Sequence, residues 1–173
     1  MFITARVPLL VGLGVVPVVL LAAAGMSPWL LTTGWLVLCV ALAIVDAAAA
    51  AHPHLLSIER VLPRRARLGE QVETELWVHN TADRRLRGLA RDAWQPTAGA
   101  SPARLALDVP GGERQRLAVP LLPRRRGELR SEFVMVRSLG PLGLAGRQGR
   151  IDARGAIRVL PPFNSRRHLP SRL

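Results

Sequence analysis

The sequence predicts a membrane α plus all-β protein: a two-helix transmembrane hairpin followed by an antiparallel β-sandwich. Three observations carry this. Residues 7–45 contain no charged side chain. A short breaker, Gly25-Met26-Ser27-Pro28, interrupts that stretch near its middle. Beyond about residue 57 the apolar pattern turns from continuous to alternating, with period 2 and no sustained helical period.

The hairpin occupies residues 1–51, with helices over about 7–25 and 29–51. At about 1.5 Å per residue, the first helix matches a hydrocarbon core of about 30 Å. Pro8 sits in the first turn, where a missing N–H costs little, and interior Pro17 predicts a kink. Trp29 suits the headgroup level, and an alanine run prolongs the second helix to Ala51. Gly12 and Gly14 are a weak signal for close helix contact, with no G-x-x-x-G. The turn carries no arginine, whereas Arg6 precedes the hairpin and Arg60, Arg64, Arg65 and Arg67 follow it, so the positive-inside rule places both termini in the cytoplasm. A rival reading takes the first run as a signal peptide cleaved near Ala22-Ala23-Ala24. Asp46 has two readings: a carboxylate at the helix boundary within reach of water, or an intramembrane functional carboxylate.

The chain has 173 residues and a formal charge of +12. Its basic residues are all arginine, a pattern that also fits a GC-rich coding bias. The excess implies an anionic neighbour, lipid or nucleic acid, and the span already supplies lipid. The lone Cys39 excludes an internal disulfide framework.

Residues 52–69 are expected to form a juxtamembrane linker and a first strand. His52-Pro53-His54 offers a pair of metal ligands with no third nearby, so an exposed linker is the default. Arg60, Arg64, Arg65 and Arg67 are candidates for contact with anionic lipid headgroups, the alternative being topology determinants with no further role. Residues 70–162 form the sandwich, with a small barrel as the alternative. Strands are expected over 72–78, 86–92, 104–109, 116–121, 130–137 and 156–160. Pro110-Gly111-Gly112 predicts a hairpin turn between the third and fourth. Pro120 predicts an edge or bulged strand. Trp77 and Trp94 are expected as one core ring and one surface anchor. Arg124, Arg125 and Arg126 are a candidate partner surface; the alternatives are a face toward the bilayer or a solvated corner.

Motifs for catalysis are missing: no phosphate loop, no G-x-S-x-G and no H-E-x-x-H. None of Asp46, Asp83, Asp92, Asp108 and Asp152 opens the Asp-x-Ser-x-Ser metal motif of type A domains. The chain is therefore expected to have no catalytic, cofactor or metal residues and not to be an enzyme. The interleaved aromatics of a single-strand nucleic-acid binder are missing, so no nucleic-acid partner is expected.

Several short motifs occur in order: Arg67-Leu68-Gly69-Glu70, Val78-His79-Asn80, Leu89-Ala90-Arg91-Asp92, Arg125-Arg126-Gly127, Gly140-Pro141-Leu142-Gly143-Leu144 and Arg158-Val159-Leu160-Pro161. Together they resemble the N-terminal half of the bacterial family catalogued as "domain of unknown function 58". The resemblance implies two membrane helices, an immunoglobulin-like β domain and then a von Willebrand factor type A-like domain. It also implies a MoxR-type AAA+ ATPase as partner and the bacterial inner membrane as location, multi-pass. That family usually has aspartate where Gly140 stands, so any role of that aspartate is expected to be absent. The basic tail, 163–173, looks like the entry to a missing domain. The expected function is that of a membrane-anchored, non-catalytic interaction module; the alternatives are an outward-facing envelope binding domain and a truncated remnant.

Overall fold

The computed structural model describes residues 1–162; the expected basic tail, 163–173, lies outside them. A two-residue strand β1 (Phe2–Ile3) precedes the helices α1 (Arg6–Leu13), α2 (Val15–Ala23) and α3 (Pro28–Ala49). The break between α1 and α2 follows from Pro17, which has no N–H for the Leu13 carbonyl. At Gly14 the missing side chain makes room for the Trp35 indole of α3, while Gly12 meets nothing. The turn to α3 passes through Gly25 at φ 95°, and Pro28 starts α3 at its first position, where proline suits a helix.

No free linker follows. A 3-10 turn over Pro53–Leu55 leads at once into β2 (Leu56–Val61), then β3 (Arg65–Arg67). The remaining strands are β4 (Val72–Asn80), β5 (Leu86–Trp94), β6 (Leu105–Val109), β7 (Arg114–Leu121), β8 (Gly127–Leu139) and β9 (Ala145–Leu160). They form two packed sheets, one of three strands in the order β2-β4-β7, the other of six along β1-β9-β8-β5-β6 with β3 also on β9. Apart from β3, which runs parallel to β9, all pairs are antiparallel.

The core lies between the sheets. Leu76, Val78, Val119 and Leu121 face Leu86, Leu129, Val134, Val136 and Ile157, all fully buried. Each such side chain contributes about 1.5–3 kcal/mol by leaving water. A bulge near Phe133 changes the parity of β8, so that Ser131 and Leu129 point inward along with Val134 and Val136. Trp94 is the core ring and Trp77 is exposed. Pro120 sits in β7, an edge of the smaller sheet, where a missing donor costs no ladder bond. Gly127 and Gly143 have φ of 111° and 67°, which a side chain would resist.

The Pro110-Gly111-Gly112 turn does not close a hairpin. Strand β6 pairs with β5 and β7 pairs with β4, so the turn carries the chain from one sheet to the other. The β4–β5 connection makes the same crossing, and Asn80, 1% exposed, joins the two. Its Nδ2 donates to the carbonyls of Arg84, Val109 and Pro110 at 2.8–3.2 Å, and its Oδ1 accepts the Ala82 N–H. Replacing Asn80 by alanine should therefore cost about 2–3 kcal/mol, because it takes the donor from one buried and two half-buried carbonyls at once. Urea unfolding of the full chain in detergent measures this.

Candidate functional site

The junction between hairpin and sandwich is built around Asp46, in the last turn of α3. Its side chain is fully buried. One carboxylate oxygen accepts the Leu142 N–H at 2.7 Å; the other accepts those of Leu144 and Ala145 at 2.7 and 2.9 Å. A carboxylate at a helix C-terminus opposes the helix dipole. Here three backbone donors from the β8–β9 turn offset that cost. Asp46 is thus neither a solvated boundary residue nor a carboxylate in a relay. It holds the turn 140–144 against the helix.

The same turn is gripped from the N-terminus. Strand β1 pairs with the start of β9, and the Thr4 hydroxyl donates to the Gly143 carbonyl at 2.7 Å. Arg6 donates to the Leu142 carbonyl at 3.3 Å. From β9, Arg147 donates to the Ala47 and Ala48 carbonyls at the end of α3 and contacts His52. A cation suits that end of a helix. Gly140 is required here for space: a Cβ on it would fall on the Asp46 carboxylate.

The four arginines expected near the lipid surface are placed elsewhere. Arg60 lies inside the sandwich with its side chain 3% exposed, paired with Asp92 at 2%. The guanidinium donates to both Asp92 oxygens at 2.6 and 2.8 Å, to Ser131 Oγ at 3.1 Å and to the Ala153 carbonyl at 3.0 Å. Ser131 and the Trp94 indole N–H also donate to Asp92. Every charge in this network is met, as burial demands. Period 2 carried a signal for it: Arg60 shares parity with Leu56 and Ile58, and Asp92 with Leu86 and Ala90.

Arg64, Arg65 and Arg67 follow α3 closely in sequence but not in space. Strand β3 pairs with Arg158–Leu160, at the far end of β9 from the Asp46 contacts at Ala145. At about 3.3 Å per residue, the two ends are roughly 40 Å apart along the strand. The same far end holds the 122–127 loop, through Gly69 N–H to the Pro123 carbonyl and Gly127 opposite Val159. The two arginine groups, 64–67 and 124–126, therefore share one end of the domain, away from the helices. Among the described residues no group of three or more His, Cys, Asp or Glu is arranged to hold a metal ion.

Two exposed ion pairs perturb titration. Arg85 bonds Asp108 at 2.5 Å and holds its carboxyl below the usual aspartate range. Arg130 does the same to Glu128. A depressed folded-state value stabilises the fold above the unfolded value, and that contribution is lost as pH falls through the folded one. In Arg85→Gln the Asp108 carboxyl should move up toward the ordinary range, with Arg87 still holding it partly down, as read by NMR titration of its side-chain carbon.

No family model matches the sequence, and no curated protein does. Among solved structures, the chain is similar to α2-macroglobulin from Escherichia coli, from domain MG7 to the C-terminus. The TM-score is 0.50 at 17% identity, covering 65% of this chain and 17% of that one. It is also similar to the CARDB domain of the PF1109 protein from Pyrococcus furiosus, at TM-score 0.45, 14% identity and 62% and 94% coverage. A third is PapD-like domain 7 of human CEP192, at TM-score 0.45, 13% identity and 63% and 87% coverage. The chain thus spans a small part of the macroglobulin fragment that it matches. At these identities the likeness speaks to architecture alone: residues beyond the two apolar helices form a β-sandwich of the immunoglobulin-like kind.

Proposed function

We propose that this protein is a membrane-anchored, non-catalytic interaction module whose sandwich faces the cytoplasm. The observation that carries this is the surface of the hairpin. Leu9, Leu13, Leu20, Leu30, Val37 and Ile44 are each more than 60% exposed. An apolar surface of that extent marks a membrane or protein contact. Both Arg6–Ala23 and the helix beginning at Pro28 are long and apolar enough to cross a bilayer. Charge is confined to the junction end, where Arg6 and Arg147 lie, and the positive-inside rule then favours a cytoplasmic sandwich. The junction leaves no loose joint, so the sandwich is presented in a set orientation to its partner. By the family resemblance, that partner is a MoxR-type AAA+ ATPase.

Alkaline extraction of membranes tests the anchor; release of the chain into the soluble fraction would overturn it. A reporter fused after Leu173 tests the direction, and activity of an export-dependent reporter would reverse it. Co-purification in mild detergent under native expression tests the partner: recovery of an AAA+ ATPase is expected, and its consistent absence would remove that assignment.

A further inference from the structure

The outer face of the larger sheet carries a groove of about 460 Å³, within the size range of ligand sites. Its floor is Leu89 of β5 with Phe133 and Met135 of β8, all half-buried on the solvent side of the sheet. Arg91, Arg104 and Arg137 line it as well. Register explains the mixture: Leu89 lies opposite Arg137, and Arg91 opposite Met135. Guanidinium and apolar groups therefore alternate across the face.

Among the described residues no carboxylate lines the groove. Arg91 and Arg104 make no ion pair among the described residues, and Arg137 donates to the neutral Gln148 side chain and lies over the Phe2 ring, 5.4 Å from its centroid, with no carboxylate partner among the described residues. The nearby Asp152 is held by Arg150 at 3.5 Å. A ligand that satisfies this groove needs an apolar group for the floor and negative charge for the arginines. A single-stranded nucleic acid fits poorly, because the Phe133 ring already lies under the Arg150 guanidinium, 4.1 Å from its centroid, and is not open to a base. Addition of a strand at the β6 edge is also disfavoured. Gln115 accepts the Asp108 N–H there and donates to the Ala106 carbonyl.

We propose that this groove binds an acidic peptide segment of a partner protein. One bulky apolar side chain would sit on Leu89 and Met135, beside the Arg150-covered Phe133 ring, with flanking carboxylates on Arg91, Arg104 and Arg137. This rests on the reading of the chain as an interaction module and names the chemistry of its partner.

The test uses the full chain in a mild non-ionic detergent and a fluorescein-labelled peptide, Asp-Glu-Leu-Glu-Asp, followed by anisotropy. Saturable, salt-sensitive binding is expected. Arg91→Glu and Arg104→Glu should each weaken it by about tenfold or more, since like charges then face each other. Met135→Gln, or serine in place of the peptide's leucine, should weaken it by a similar factor. Arg114→Glu, on the other sheet, should change it by less than about twofold, because distant exposed charges are screened. Thermal unfolding shows that the variants are folded. The proposal falls if the peptide does not bind, if the serine peptide binds equally well, or if Arg114→Glu costs as much as Arg91→Glu. It falls too if oleate or an oligouridylate binds and the peptide does not. Because the assay needs neither membrane targeting nor an ATPase, its failure leaves the anchor standing, and a failed anchor leaves the groove standing.

Discussion

Asp92→Ala should lower the unfolding free energy of the sandwich by about 3–5 kcal/mol, because it leaves the Arg60 guanidinium buried and unpaired. Arg60→Leu should cost a similar amount by stranding Asp92. Against a total stability of about 5–15 kcal/mol, either change brings the domain near its limit. The double variant Arg60→Leu/Asp92→Leu should recover much of the loss, since replacing a buried pair by apolar residues is often neutral. Trp94, whose indole donates to Asp92 and lies 5.2 Å from the Arg60 guanidinium, supplies the fluorescence signal. Single variants costing less than about 1 kcal/mol would contradict the buried pair, since that is what an exposed one contributes.

The second large effect concerns the junction. Asp46→Ala removes the acceptor for three buried or half-buried backbone N–H groups. Hydrogen bonds to a charged group contribute about 1.5–3 kcal/mol each, so the junction should lose about 3 kcal/mol or more. The global core should be spared. Hydrogen exchange at Leu142, Leu144 and Ala145 should speed up by about a hundredfold or more, whereas Leu76 and Val136 keep their protection. Asp46→Asn, which keeps one acceptor oxygen, should fall between. Gly140→Ala should reproduce the defect from the other side by pushing a Cβ into the carboxylate. Unchanged exchange at the three amides in Asp46→Ala would remove the junction from the account.

The strands and the helices were legible because their signals are local. Exposed and buried positions alternate along β4 and β6, so period 2 is written directly into residues 72–78 and 104–109. Connectivity was not legible. Proline and glycine at 110–112 announce a reversal, but not whether the chain returns in the same sheet or crosses to the other. Arg60 was misplaced for a related reason. Its nearness to α3 in sequence suggested a lipid contact, although its parity with Leu56 and Ile58 already put it on the buried side. The groove is not legible in the sequence, because Leu89, Phe133 and Met135 come together only through pairing of β5 with β8.

Composition and periodicity alone determined that an apolar, uncharged pair of helices precedes an alternating, strand-rich segment, because burial and strand pleating act on neighbouring residues. They also determined the excess of arginine. Tertiary structure decided where that charge goes: Arg60 to the interior, Arg147 to the end of α3, residues 64–67 and 124–126 to the far end, and Arg91 and Arg104 to the groove. It also decided that Asp46 joins helix to sheet through residues 96 to 99 positions away. A charged side chain is stable wherever a partner or water meets it, and partners so distant in sequence become neighbours only once the sheets have formed.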